Sequence, residues 1–128
     1  MAVSVVRLGS KRARGEGPRL GTVRRPPRGV RKSEYATRNY YDVWLPLLAP
    51  SAALVKRALS AKNEREFDAF ARAYRREMSR PDAARTLDLL ATLSQAASFA
   101  VGCYCEDEAR CHRSVLRELL RERGAVLR

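Results

Sequence analysis

The chain has 128 residues, close to the usual size of one domain, and its 45% hydrophobic content is enough for an ordinary core. No apolar run approaches the roughly 20 residues that a membrane-spanning helix needs. The N-terminus also lacks the apolar stretch of a secretory signal. We therefore expect a cytoplasmic protein that does not contact a membrane.

The net charge of +12 is concentrated at the N-terminal end, where residues 1–32 contain ten Lys or Arg side chains and one acidic residue, Glu16. Such a block attracts polyanions through its long-range field and through counterion release. One hypothesis is therefore a nucleic-acid-associated binding module. The alternative for residues 9–18 is a solvated, partly disordered segment.

The first third of the chain predicts short strands joined by a basic loop. Apolar runs at 3–8 and 20–23 predict two strands, and residues 9–32 form a basic loop around the second. Pro26 and Pro27 exclude a helix there, so we expect an extended segment that carries Arg24, Arg25 and Arg28. Ser33 is expected to cap one or two helical turns.

The middle of the chain predicts one more short strand and then three helices. The strand ends near Trp44, because Pro46 excludes central pairing. The first helix begins at Pro50-Ser51 and ends near Leu59, and the second is Glu64–Met78 with Asn63 as its cap. Asp82 occupies a capping-box position at the start of the third helix.

The C-terminal third predicts a buried strand, a polar loop and a helix. The strand is the apolar run 99–105, the loop is 106–110 and the helix is 111–123, followed by Gly124 as a stop and a last short strand at 125–127. Alternating strands and helices predict a single α/β domain over residues 1–128, with a central, mostly parallel sheet flanked by helices. Ligands bind at the carboxyl ends of such strands, which here carry residues 105–113.

All three cysteines lie within nine residues, which indicates a reducing compartment and a local site rather than a disulfide framework. A helix N-terminus favours an anion and lowers the pKa of a nearby thiol. Cys105 or Cys111 is the candidate nucleophile and His112 the candidate acid or base. Arg113 is expected to bind a phosphate-like group, with Arg24, Arg25 and Arg28 closing over it.

Two observations weigh against this anion site, and two alternatives remain. The loop lacks the glycines of rhodanese or phosphatase loops, and residues 106–108 are acidic and would repel an anion. A zinc or iron site could instead use Cys103, Cys105, Cys111 and His112, although Cys-x-Cys and adjacent Cys-His ligands are unusual. In a purely structural interpretation, Cys103 packs in the core as a small hydrophobic residue.

Two stretches are distinctive beyond their patterns: LGTVRRPPRGVRKSEYATRNYYDVWLPLLAPS at 20–51 and GCYCEDEARCHRSVLRELL at 102–120. Together they resemble the bacterial family called domain of unknown function 488 (DUF 488), over about residues 18–124. The signature of the family is Cys-His-Arg at the start of the last helix, here Cys111, His112 and Arg113. The resemblance implies a compact α/β domain with a largely parallel sheet in bacterial cytoplasmic proteins, without an established reaction.

Overall fold

The computed structural model describes residues 1–128 and contains one four-stranded parallel sheet with the strand order β1-β4-β2-β3. The strands are β1 (Val3–Arg7), β2 (Arg19–Gly21), β3 (Val43–Trp44) and β4 (Phe99–Cys103). The helices are α1 (Ala52–Ser60), α2 (Glu64–Met78), α3 (Pro81–Leu93) and α4 (His112–Glu122). Short 3-10 turns lie at 32–34, 46–48 and 108–110. The predicted α/β class with a parallel sheet is confirmed.

The central strand β4 pairs with β1 on one side and β2 on the other, and all five of its residues are buried. This explains its uninterrupted apolar sequence, because a strand covered on both faces has no solvated side. The strand ends at Cys103, two residues earlier than expected, where its ladder with β1 also ends. The carboxyl ends of β4 and β2 therefore lie side by side.

Side-chain caps fix two of the helix starts as predicted. Ser51 accepts a hydrogen bond from the Leu54 amide at the start of α1, and Asn63 accepts one from the Glu66 amide at the start of α2. The capping-box prediction for Asp82 is wrong. Helix α3 begins at Pro81 with Arg80 rather than Ser79 as its N-cap, so Asp82 is one position too early in the first turn for a capping box, and no side chain caps the helix.

Three smaller expectations also differ from the structure. Ser33 does not cap a helix but lies within the 3-10 turn at 32–34, which has no side-chain cap. The chain end at 125–127 forms a single bridge, between Val3 and Leu127, rather than a strand. The helix stop at Gly124 is confirmed, since its φ of +80° is the left-handed conformation that glycine adopts most readily.

The main core packs the four helices against one face of the sheet, with Phe99 and Val101 of β4 at its centre. A smaller cluster lies at the carboxyl ends of the strands and consists of Leu8, Val23, Tyr41, Cys103 and Cys111. Two of the predicted site cysteines are thus part of a packed region. The longest helix has 15 residues and many charges, and none of the helices is suited to cross a membrane.

The basic segment between β1 and β2 is tied to the domain rather than forming a disordered tail. The Arg19 side chain is fully buried, and its Nε donates to the carboxylate of Glu16 at 2.7 Å; the Glu16 side chain is 2% exposed. Arg19 also donates to the carbonyl oxygens of Ser10 and Asn39 at 2.9 and 2.7 Å. This buried pair holds the loop against the start of β2.

Candidate functional site

An open cleft of about 1020 Å³ lies at the carboxyl ends of β4 and β2. Helix α1 and the loop 23–28 form its walls, and the segment from Cys103 to His112 contributes its floor. Cys103, Cys105, Cys111 and His112 all line this cleft. The cleft therefore lies at the edge of the sheet where parallel α/β folds usually bind ligands.

The three thiols and the imidazole meet because a short loop returns the chain from β4 to α4. Cys103 is the last residue of β4, and its Sγ lies 3.8 Å from the Sγ of Cys105. Cys111 is the N-cap of α4, and its Sγ lies 3.7 Å from Nδ1 of His112. The ligand atoms of Cys103, Cys111 and His112 all lie within 4.8 Å of one another.

His112 is held by Thr22, the residue that follows β2 near the opposite end of the sequence. Its Nε2 lies 2.8 Å from the carbonyl oxygen of Thr22, which can only accept a hydrogen bond. The hydroxyl of Thr22 donates to the carbonyl of Gly102 at 2.9 Å and fixes this contact. Nε2 therefore carries a proton, and Nδ1 faces the Sγ of Cys111. Tyr74 packs edge-on against the ring, at 5.4 Å between centroids.

The thiols form one hydrogen-bonded network that gives them different acidities. Hydrogen bonds from Cys103 and Cys111 lower the pKa of Cys105, and Arg113 adds a favourable charge. The thiol of Cys103 acts as the donor in this network, which raises its own pKa. Hydrogen bonding with Cys103 lowers the pKa of Cys111, and His112 adds to this shift. Cys105 is also the one partly exposed thiol, since Cys103 and Cys111 are buried.

The structure places Arg113, the predicted anion-binding residue, beside the cleft rather than in its lining. Its side chain is buried, donates a hydrogen bond to the carbonyl oxygen of Cys105 and is not part of the cleft lining. Its Nε has no hydrogen-bond partner. Arg113 thus positions the backbone of Cys105 and affects the cleft only through this contact.

The three arginines of the proline-rich loop all line the cleft but differ in their contacts. Arg24 donates hydrogen bonds to the carbonyl oxygens of Pro46, Ala49 and Pro50, so it braces the chain before α1. Arg25 and Arg28 are exposed at the mouth. The structure adds two basic residues that the sequence analysis did not single out, Lys56 of α1 and Arg110. Arg110 directly precedes Cys111, whereas nothing in the sequence pointed to Lys56.

The acidic loop after Cys105 does not face the cleft. Glu108 pairs with Arg117 at 2.7 Å, and Glu106 lies 3.5 Å from Arg7. Asp107 accepts a hydrogen bond from the amide of Ala109 and caps the 3-10 turn. No acidic residue lines the cleft. The repulsion expected between this loop and a bound anion is therefore largely removed.

Together, the parallel sheet and the cysteine–histidine cluster at its strand ends define a small α/β domain with a candidate thiol or metal site. A family model described as the active DUF488-N3 subclade matches residues 3–124, so the chain belongs to the DUF488 family. The resemblance inferred from the sequence is confirmed. Comparisons with curated proteins and with solved structures find no match.

Proposed function

We propose that the cleft binds a phosphate-bearing anion of about nucleotide size and presents it to the cysteine–histidine floor. The observation that carries this proposal is the charge of the lining. Five basic side chains and no acidic one line the cleft: Arg24, Arg25, Arg28, Lys56 and Arg110. Such a lining concentrates anions and strengthens hydrogen bonds to phosphate oxygens.

The remaining lining suits a ligand with an apolar part as well as a charge. Eleven of the nineteen lining residues are hydrophobic, among them Val23, Val55, Leu59 and Phe70. Ligand pockets typically enclose roughly 300–1,000 Å³ and combine apolar walls with a few polar groups. A nucleotide has both features. Its base would contact the apolar wall, and its phosphates would contact the five basic side chains, which we call the basic rim.

The groups able to act on such a ligand are Cys105, Cys111 and His112 at the floor. Cys105 is the accessible thiol, and Arg113 holds its backbone. The subclade whose family model matches this chain is described as active, which agrees with a reaction at this floor. Catalysis by these residues is part of the proposal.

Calorimetry with adenosine, AMP and ATP tests the ligand class. We expect AMP and ATP to bind and adenosine to bind much more weakly, because only the first two carry phosphate. Replacing Arg25 or Arg28 by Ala should weaken AMP binding roughly tenfold, the usual effect of losing one hydrogen bond to a charged group.

Helix α1 offers a matched control, because Lys56 lines the cleft while its exposed neighbour Arg57 does not. Lys56→Ala should weaken AMP binding, whereas Arg57→Ala, which removes the same charge, should leave it nearly unchanged. Equal losses in both variants would mean that net charge rather than the cleft attracts the ligand. Equal binding of adenosine and AMP would refute the phosphate-bearing ligand.

A second candidate function, nucleic-acid association, is favoured by basic side chains outside the cleft. Lys11, Arg14, Arg31 and Lys32 are exposed and make no ion pair within the chain. Arg7, Arg12, Arg19 and Arg24, by contrast, are used in internal contacts. Four free cations in one segment are a suitable footprint for a phosphate backbone.

Point substitutions test this second candidate, since deleting residues 1–17 would also remove β1 and the buried Glu16. We expect the combined change of Lys11, Arg14, Arg31 and Lys32 to Ala to weaken binding of a labelled DNA oligonucleotide and flatten its salt dependence. The control changes Lys62, Arg65, Arg72 and Arg76 of the helical region to Ala. If the first variant binds the oligonucleotide with unchanged affinity, this segment is not the nucleic-acid-binding surface.

A further inference from the structure

We propose that Cys103, Cys111 and His112 form a zinc site of the Cys₂His type, with a fourth coordination position open to the cleft. This goes beyond the proposed anion ligand, because the metal is bound by the floor and not by the basic rim. The ligand atoms would be the two Sγ atoms and Nδ1 of His112.

The distances are close to those that a tetrahedral zinc ion requires. Zn–S bonds of about 2.3 Å and Zn–N bonds of about 2.0 Å place neighbouring ligand atoms roughly 3.5–3.8 Å apart. The Sγ of Cys111 and Nδ1 of His112 are already 3.7 Å apart. The ligand atoms of all three residues lie within 4.8 Å of one another, about 1 Å more than bound ligands require.

The backbone at Cys111 explains how two adjacent residues can share one ion. Cys111 is extended, with φ −127° and ψ 154°, whereas His112 is the first residue of α4. This change of conformation between neighbours directs both side chains to the same point. The steric objection to adjacent ligands, raised from the sequence, does not apply to this conformation.

The surroundings of His112 match those of a metal ligand. Histidine ligands usually donate their second ring N–H to a carbonyl or carboxylate, which fixes the tautomer and the ring orientation. His112 does this with the carbonyl oxygen of Thr22 at 2.8 Å. The proton is thereby held on Nε2, and Nδ1 is free to coordinate.

The chemistry of the donors selects the ion. Two thiolates and an imidazole favour zinc over magnesium or calcium, which prefer oxygen ligands. Binding releases the two thiol protons, and the charges of the two thiolates then balance the dication. The basic rim therefore faces a neutral centre and remains available to an anion.

In this proposal, Cys105 lies next to the zinc ion but does not coordinate it. Its Sγ is 3.8 Å from that of Cys103, but Cys105 does not belong to the set whose atoms all lie within 4.8 Å. Three protein ligands with one open position are the arrangement of catalytic zinc centres, whereas structural sites use four. All three proposed ligands line the cleft, so the open position is reachable from it.

Metal analysis of the full chain, purified without chelator from zinc-supplemented cells, tests the site. We expect one zinc ion per chain, and after replacement by Co²⁺ we expect thiolate-to-cobalt charge-transfer absorption in the near ultraviolet. Cys103→Ser and Cys111→Ser should lose the metal, while Cys105→Ser should keep it. Circular dichroism establishes that each variant is folded.

Three outcomes would overturn the proposal. A folded native chain that takes up neither Zn²⁺ nor Co²⁺ has no such site, even if the serine variants fail to fold. A cobalt complex without charge-transfer absorption lacks thiolate ligands. Loss of metal in Cys105→Ser equal to that in Cys103→Ser indicates a closed four-ligand site. Arg25→Ala should bind zinc normally, so failure of the anion proposal and failure of the metal proposal are separable.

Discussion

His112 donates its Nε2–H to the backbone carbonyl of Thr22 across 2.8 Å, which joins the first residue of α4 to the residue that follows β2. The Thr22 hydroxyl lies 3.3 Å from the same nitrogen and donates to the Gly102 carbonyl on β4. Thr22 therefore connects all three elements that meet at the floor of the cleft. The orientation of the imidazole depends on this one side chain and its backbone.

Thr22→Val should destabilise the domain by about 1 kcal/mol, since it removes one buried hydrogen bond while conserving shape. The carbonyl of Gly102 keeps its bond from the Thr22 amide, which limits the cost. Urea unfolding monitored by circular dichroism measures the change. Thr86→Val is the matched control, because the exposed Thr86 hydroxyl bonds within α3, and its effect should stay within about 0.5 kcal/mol. Equal effects would show that the Thr22 network contributes nothing.

Metal-free native protein should contain one fast-reacting thiol out of three. Cys105 is partly exposed, whereas Cys103 and Cys111 are buried at 8% and 1% exposure. A disulfide reagent such as DTNB should therefore label one thiol quickly in the native state and all three in denaturant. Cys105→Ser should abolish the fast phase. A fast phase that persists in this variant would mean that a buried thiol is accessible.

Arg24→Met and Arg25→Met should differ in stability although both remove a cleft arginine. Arg24 satisfies three backbone carbonyls before α1, so its loss should cost roughly 1–3 kcal/mol and also weaken AMP binding. Arg25 is exposed, so its replacement should change stability by no more than about 0.5 kcal/mol while still weakening AMP binding. Thermal unfolding and calorimetry on both variants give the comparison. Similar stability losses would contradict the bracing role of Arg24.

The buried pair of Glu16 and Arg19 should make stability depend on acid pH. Burial acts to raise the pKa of Glu16, but hydrogen bonds from Arg19 and from the Ala13 amide outweigh it and leave the pKa below its ordinary value. A lowered folded-state pKa stabilises the fold above the unfolded pKa of about 4.3, and this contribution is lost as pH falls through the folded pKa.

Glu16→Gln should therefore cost roughly 3 kcal/mol at pH 7, because it leaves Arg19 buried without a counter-charge. The difference from the native chain should begin to narrow as pH falls below the unfolded pKa of about 4.3, and it should be lost as pH falls through the lower pKa of folded Glu16. Urea unfolding at several pH values measures both effects. Glu122→Gln, which alters the exposed pair with Arg75, serves as control and should change stability little. A difference that does not vary with pH would exclude Glu16 as the titrating group.

Local signals in the sequence were sufficient to predict the four α-helices and to place the cysteine cluster after the central strand. Asn63 and the apolar spacing after it predicted α2 from Glu64 to Met78 without error, because caps and periodicity act over a few residues. The apolar run at 99–105 predicted the buried central strand, although β4 ends at Cys103. The sequence also identified the cysteine cluster and Arg25 and Arg28, which the structure brings to one cleft.

Local sequence patterns could not predict contacts between distant segments of the chain. The Thr22–His112 contact joins residues 90 apart, and it depends on strand order and register that no local pattern encodes. Arg113 was predicted to bind an anion because the start of a helix favours negative charge. Its position on α4, however, directs the side chain into the protein interior. Arg19 belonged to a basic block that predicted polyanion binding, yet it forms the fully buried pair with Glu16.

The pairing of β1 with β4 also bears on how the protein is made. Val3 lies opposite Phe99, so the first strand stays without its partner until most of the chain has been synthesised. Strands so far apart in the sequence pair slowly, because closing the long intervening chain costs entropy before the contacts between the strands can stabilise it. During translation, the unpaired β1 is exposed to other chains on the ribosome. The helices between the two strands can form earlier, and the cysteine–histidine floor is among the last parts of the molecule to be completed.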